Sequence, residues 1–169
     1  MNKTLNKTLM GFAATTVALL FTGTVAFAAG SSSRPAKDTK PGVSEYNSGV
    51  NLMKKGKYEK AETKFKAALK KNPNMAEAHN NLGYSLRKQG PQNFDEALSH
   101  YNDAIRLKSN LAEAYMYRGV LYMLMGNEDK ALADHRKLTK LDRRLADALQ
   151  AAIASGEEPA GLDGLARKW

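Results

Sequence analysis

Residues 76–111 read AEAHNNLGYSLRKQGPQNFDEALSHYNDAIRLKSNL, and within them Gly83, Ala97, Tyr101 and Ala104 stand at fixed offsets. The same spacing returns on both sides. Gly49, Ala61, Phe65 and Ala68 precede this set, and Gly119, Ala131, His135 and Leu138 follow it. The three glycines lie 34 and then 36 residues apart. A fixed period of this length marks a repeat architecture, in which each unit buries its apolar face on its neighbour. The sequence therefore predicts an all-α solenoid of helical hairpins, with a surface that offers binding rather than catalysis.

Each unit divides at a glycine. Helices are expected over 43–55 and 58–71, over 76–89 and 94–107, and over 112–125 and 128–141. Gly56, Gly90 and Gly126 fall at the breaks, where a helix end favours left-handed dihedrals. Pro73 blocks continuation after the second helix. Asp95-Glu96 and Glu128-Asp129 open second helices, where carboxylates complement the helix dipole. Helices joined so tightly must pack antiparallel at close range. The small residues at 49, 61, 83, 97, 119 and 131 meet that need, and Phe65 and Tyr101 are expected to fill the wedge between neighbouring pairs.

The flanks differ in character. Lys3 and Lys7 precede an uncharged stretch from Thr8 to Ser33, with an apolar core from Leu9 to Phe21 and the small-x-small triplet Ala26-Phe27-Ala28. Residues 1–28 are expected to be a secretory signal peptide cleaved after Ala28, placing the mature chain in the periplasm or outside the cell. The alternative is an uncleaved inner-membrane anchor through residues 8–33, a run long enough to span a bilayer although diluted by four threonines. Residues 29–42, rich in Gly, Ser and Pro, read as a flexible linker. The repeat domain is expected over 43–155 and a flexible tail over 156–169.

Composition excludes several chemistries. The chain has no cysteine, so thiol catalysis, Cys-ligated zinc and redox exchange are ruled out. Net charge is +9, falling to +7 once Lys3 and Lys7 are removed. Residues 54–71 hold eight lysines against Glu59 and Glu62, whereas the last 24 residues carry a net −2. Lys60, Lys64, Lys66, Lys70 and Lys71 form a basic patch on the second helix of the first unit. It is either a solvated face or a docking site for an anionic membrane or cell-wall surface. Nucleic acid is not expected as a partner, because no aromatic platform interleaves these lysines.

The three units resemble the tetratricopeptide repeat, whose 34-residue pattern sets Trp, Leu, Gly, Tyr, Ala, Phe, Ala and Pro at fixed offsets. Counting each glycine as position 8 gives repeats at 42–75, 76–111 and 112–145. The first matches through Gly49, Ala61, Phe65, Ala68 and Pro73, and the second through Leu82, Gly83, Ala97, Tyr101 and Ala104. The third matches through Tyr115, Gly119, Tyr122, Gly126 and Ala131, with His135 in place of the aromatic. The second is two residues longer, and the excess falls at Pro91–Phe94. Residues 145–155 place Leu145, Ala148, Leu149, Ala152 and Ile153 on one helical face. They resemble the capping helix that the family uses to cover its last apolar surface.

The resemblance implies a non-enzymatic interaction module, its first helices lining a concave groove for an extended peptide or a partner's helix. Carried over by position, the groove takes Tyr46, Asn47 and Val50 from the first repeat. The second supplies Asn80, Asn81, Tyr84, Arg87 and Lys88, and the third Glu113, Met116, Tyr117, Val120 and Met123. Asparagine amides can pair with both C=O and N–H of a bound backbone, and Tyr and Met supply adaptable apolar contact. Alternatively, the tyrosines and methionines pack between helices. One branch of the family grips a partner's terminal carboxylate with Lys and Asn, then Asn, then Lys and Arg. Tyr46, Val50, Asn81, Glu113 and Tyr117 stand at those places, so only Asn81 agrees and that clamp is not expected.

No phosphate loop, nucleophile elbow or metal-ligand spacing appears, and no catalytic residue, cofactor or metal is expected. His79, His100 and His135 are read as packing residues. The expected partner is another protein of the cell envelope. The tail, acidic and then carrying Leu162, Leu165 and Trp169 at helical spacing, is expected to dock in the groove of its own or a neighbouring molecule, which would give self-association. Replacing Ala97 with Leu should overpack the helix crossing and cost about 1–3 kcal/mol in a urea unfolding measurement.

Overall fold

The computed structural model describes residues 40–159 and Gly161. The expected signal peptide, residues 29–39 of the linker, and Leu162, Leu165 and Trp169 of the tail lie outside the described residues. Seven α-helices and one 3-10 turn make up the described chain: α1 (Val43–Met53), α2 (Tyr58–Lys71), α3 (Ala76–Lys88), the turn Pro91–Asn93, α4 (Phe94–Leu107), α5 (Ala112–Leu124), α6 (Glu128–Leu141) and α7 (Arg143–Ser155). There is no strand among the described residues. The fold is an all-α helical repeat.

The helix ends follow from backbone chemistry. After α1 the chain turns at Gly56, φ 68°, with Gly56 N–H donating to Met53 and Lys57 N–H reaching back to Leu52. Gly126, φ 73°, repeats the device after α5, with Asn127 N–H donating to Tyr122 at 2.8 Å. Such bonds satisfy the last carbonyls of the helix and need the left-handed conformation that glycine adopts without strain. The longer second repeat spends its extra residues on the Pro91–Asn93 turn. The last helix begins at Arg143, two residues before the apolar pattern starts, because the Asp142 carboxylate accepts the backbone N–H of Leu145 at 3.1 Å.

The helices pair as α1 with α2, α3 with α4, and α5 with α6, and each hairpin stacks on the next through α2–α3 and α4–α5 contacts. Helix α3 touches both α1 and α5, so these three lie side by side on one face, and α7 covers α5 and α6. The crossings are tight at the glycines. A Cβ on Gly49 would stand 2.6 Å from the Phe65 ring, and one on Gly83 would stand 2.9 Å from the Tyr101 ring and 3.0 Å from the Ala97 carbonyl oxygen. Ala61, Ala97 and Ala131 are fully buried.

The third crossing is built differently. A Cβ on Gly119 would meet Leu149 of α7 at 2.5 Å, while His135 is only half-buried. An imidazole buried like a phenyl ring would leave ring nitrogens in need of partners, and the branched side chain of the capping helix fills the space instead. A second tie joins α5 to other neighbours. The Arg118 guanidinium donates to both Asp134 oxygens, at 2.9 and 2.6 Å, and to Asn102 at 2.7 Å, linking α5 to α6 and α4.

Leu149→Ala should therefore lower stability by about 2–5 kcal/mol through a cavity over Gly119. His135→Ala should stay within about 0.5 kcal/mol. Paired urea denaturation curves measure both, and equal losses would show that the imidazole, too, carries the third crossing.

Candidate functional site

The face formed by α1, α3 and α5 carries the residues expected to line a groove. Of these, Tyr46, Val50, Asn80, Asn81, Tyr84, Arg87, Met116, Tyr117 and Val120 are buried, and Asn47, Lys88, Glu113 and Met123 are half-buried. Val50, Met116 and Val120 belong to the hydrophobic core. Several of the tyrosines interlock. Tyr84 lies 4.8 Å from Tyr117 and 6.1 Å from Tyr58, Tyr117 lies 6.2 Å from Tyr101, and Tyr46 packs on Phe65 at 5.8 Å. These rings join α1 to α2 and α3 to α5.

The asparagines form a short polar chain inside this apolar setting. Asn80 donates to the Asn81 side-chain oxygen at 3.1 Å, and Asn81 donates to the Tyr46 hydroxyl at 3.1 Å. Burial holds the Tyr46 hydroxyl above its ordinary pKa, so it remains a neutral partner. The Asn80 side-chain oxygen is left without a hydrogen bond although Asn80 is only 4% exposed. A buried amide oxygen in that state is costly.

Further along α3 the chemistry becomes cationic. The Arg87 side chain is 1% exposed, and its guanidinium carbon stands 5.1 Å from the centre of the Tyr84 ring. Its Nη2 donates to the Glu158 carboxylate at 2.8 Å, and Lys88 Nζ approaches the same oxygen at 3.4 Å. Burial opposes the charge on Arg87, but the Tyr101 hydroxyl and the Glu158 carboxylate keep it protonated. Glu158 shows the complementary effect. Burial alone would raise its carboxyl pKa, yet the hydrogen bond and charge of Arg87, with Lys88, hold it below the usual glutamate value. The Tyr101 hydroxyl interacts with the Arg87 guanidinium, and burial pushes its pKa up to about 12.

Glu158 is visible in the sequence only as one charge in an acidic tail. Its neighbours lie 70 and 71 residues away along the chain, so no local pattern points to it. The tail residues expected to carry apolar docking contacts lie outside the described residues.

The lysine patch divides in the structure. Lys66 pairs with Glu62 at 2.8 Å and Glu96 at 3.1 Å, and Lys71 pairs with Glu45 at 2.7 Å, so these two tie helices together. Lys60, Lys64 and Lys70 form no ion pair among the described residues, and all three are exposed, Lys70 near the end of α2. His79 and His100, 21 residues apart, meet between α3 and α4. Spacing along one helix gives no sign of that meeting.

The sequence profile of the tetratricopeptide repeat family matches residues 46–110 and 92–143. Among curated proteins, the mouse Superkiller complex protein 3 is 32% identical over 108 residues, covering 62% of this chain and 7% of that protein. The wheat Hsp70-Hsp90 organizing protein is 29% identical over 100 residues, covering 59% of this chain and 17% of the relative. The chain thus spans less than a fifth of the length of either relative. Among solved structures, the first tetratricopeptide domain of Spaghetti (RPAP3), bound to the HSP90 peptide SRMEEVD, superposes with a TM-score of 0.63 at 20% identity, covering 70% of this chain and 94% of that one. The Arabidopsis OM64 tetratricopeptide domain does so with a TM-score of 0.63 at 18% identity, covering 69% and 97%. With the glycine-under-ring crossings, the paired helices and a profile match over more than half its length, this chain belongs to the tetratricopeptide repeat family.

Proposed function

We propose that this protein is a non-enzymatic adaptor that holds an acidic peptide or helix of another cell-envelope protein along α1, α3 and α5, and so assembles or stabilises a complex. The observation that carries this reading is the Arg87–Glu158 contact. A buried guanidinium on the inner face already receives a carboxylate from a segment outside the repeats, at 2.8 Å, with Lys88 beside it. A partner's glutamate or aspartate has the same chemistry. Peptide binding by the Spaghetti domains supports the general mode.

The envelope location rests on the amino-terminal sequence: Lys3 and Lys7, an apolar run, and Ala26-Phe27-Ala28. Retention of residues 8–33 as an anchor would leave the adaptor on the membrane surface. Lys60, Lys64 and Lys70 favour a second reading, docking to an anionic membrane or cell-wall surface, in which the inner face is incidental.

A peptide carrying residues 155–161, SGEEPAG, tests the first reading when titrated into the chain from Ala29 to Trp169 and followed by NMR. Glu158→Gln removes the internal competitor, whose effective concentration is on the order of millimolar. That variant should bind the peptide at least about 10-fold more tightly than the unaltered chain, with shifts centred on Arg87 and Lys88. A variant that binds no better sinks the proposal that this face selects acids. Binding that ignores Glu158→Gln and collapses as salt rises would assign docking to the lysines instead.

The docked carboxylate also sets a pH dependence. Because Glu158 titrates below its ordinary 4.5 when docked, the contact is fully present above that value. It is lost as pH falls through the lower, docked value. A carbon-13 titration of the Glu158 carboxyl should show its midpoint below 4.5, with Arg87 resonances moving in step. A midpoint at or above that ordinary value would mean that the carboxylate is not held by Arg87 in solution.

A further inference from the structure

Between α3 and α4, His79 and His100 turn their Nδ1 atoms toward each other at 3.0 Å. Asp103 lies one turn after His100 on α4 and brings Oδ2 to 3.9 Å from His79 Nδ1. The three residues offer ligand atoms within 4.8 Å of one another, and all three are half-buried. The other Asp103 oxygen is held by Arg106 at 2.9 Å, which leaves Oδ2 to face the rings.

The outward ring nitrogens decide what this cluster can do. His79 Nε2 lies 3.1 Å from the Pro73 carbonyl oxygen, and His100 Nε2 lies 3.9 Å from the Glu96 carboxylate. Both face acceptors. A neutral imidazole carries a single N–H, so protons on the two Nε2 atoms leave both Nδ1 atoms as bare lone pairs. Two lone pairs aimed at each other across 3.0 Å repel unless a cation lies between them. A proton on His100 Nδ1 relieves that repulsion, but it turns the bare Nε2 of His100 toward the Glu96 carboxylate.

We propose that His79 Nδ1, His100 Nδ1 and Asp103 Oδ2 form a site for a late first-row divalent cation of the zinc, nickel or copper class, with water in the remaining positions. Imidazole nitrogens select these ions over magnesium and calcium. At metal–nitrogen distances of about 2.0–2.1 Å, two nitrogens stand about 2.9 Å apart in a right-angled arrangement and about 3.4 Å apart in a tetrahedral one. The present separation fits the first and needs a few tenths of an ångström for the second. Pro73 and Glu96 then act as outer partners that orient each ring and raise its basicity as a ligand. The carboxylate offsets one unit of the cation's charge. Because the two rings come from facing helices of the second repeat, an ion here would pin that hairpin.

The chain has only three histidines, which makes the test clean. The intact chain, stripped with a chelator, is titrated with zinc in a calorimeter and with cobalt in a visible spectrometer. One equivalent should bind, with a cobalt ligand-field spectrum containing nitrogen donors. His79→Gln and His100→Gln should each weaken zinc binding more than about 10-fold, while His135→Gln leaves it unchanged. Circular dichroism of the metal-free variants identifies any that fails to fold, and either histidine variant suffices if the other does. No binding up to millimolar zinc overturns the proposal, as does binding that survives both substitutions or falls equally with His135→Gln. Binding lost in the histidine variants but untouched by Asp103→Asn removes the carboxylate from the site.

Discussion

A ring laid on a glycine, where two antiparallel helices cross, sets the spacing on which the rest of the stack depends. The Phe65 ring on Gly49 and the Tyr101 ring on Gly83 leave no room for even one added carbon. That contact lets two backbones approach closely, and the Tyr101 ring also reaches Tyr117 of the next hairpin. Because the first two hairpins share this crossing, their pairing needs no long-range sequence signal. Interiors packed at crystal-like density transmit the position of one hairpin to the next. The third hairpin keeps the glycine but lacks the ring, and Leu149 of α7 supplies the missing volume. The cap is thus part of the third repeat's core as well as its cover.

The face of α1, α3 and α5 shows how a packed stack still holds polar groups. The tyrosines there use their rings for helix contacts, while the asparagines and Arg87 bring polar groups to depths where water does not compete. A charge buried this far is costly unless paired. Glu158 supplies the pairing from beyond the repeats, and it does so from the short segment after α7. The contact couples the state of the tail to the state of the face. A solvated lysine at the same place would have been indifferent to the tail.

Charge elsewhere is divided between structure and surface. Lys66, Lys71 and Lys108 bridge to acids on neighbouring helices. Exposed pairs of this kind contribute little each. Within the basic stretch only Lys66 and Lys71 are engaged in this way among the described residues. The basic run is plain in composition, but which lysines remain available follows only from the helices brought alongside.

Spacing along the chain was enough to establish the repeat period, the helix pairs, the glycine and alanine crossings and the face on which the first helices lie. All of these are local: they follow from turn chemistry, periodicity and the steric limit at a crossing. The cap was legible in the same way, although not the two residues that Asp142 adds at the start of α7. Folding in three dimensions settled the rest: Leu149 replaces a ring at Gly119, Asn81 binds Tyr46, Glu158 meets Arg87, and His79 stands beside His100. Each of these joins residues from different elements, and a contact between distant positions leaves no periodic trace in the chain.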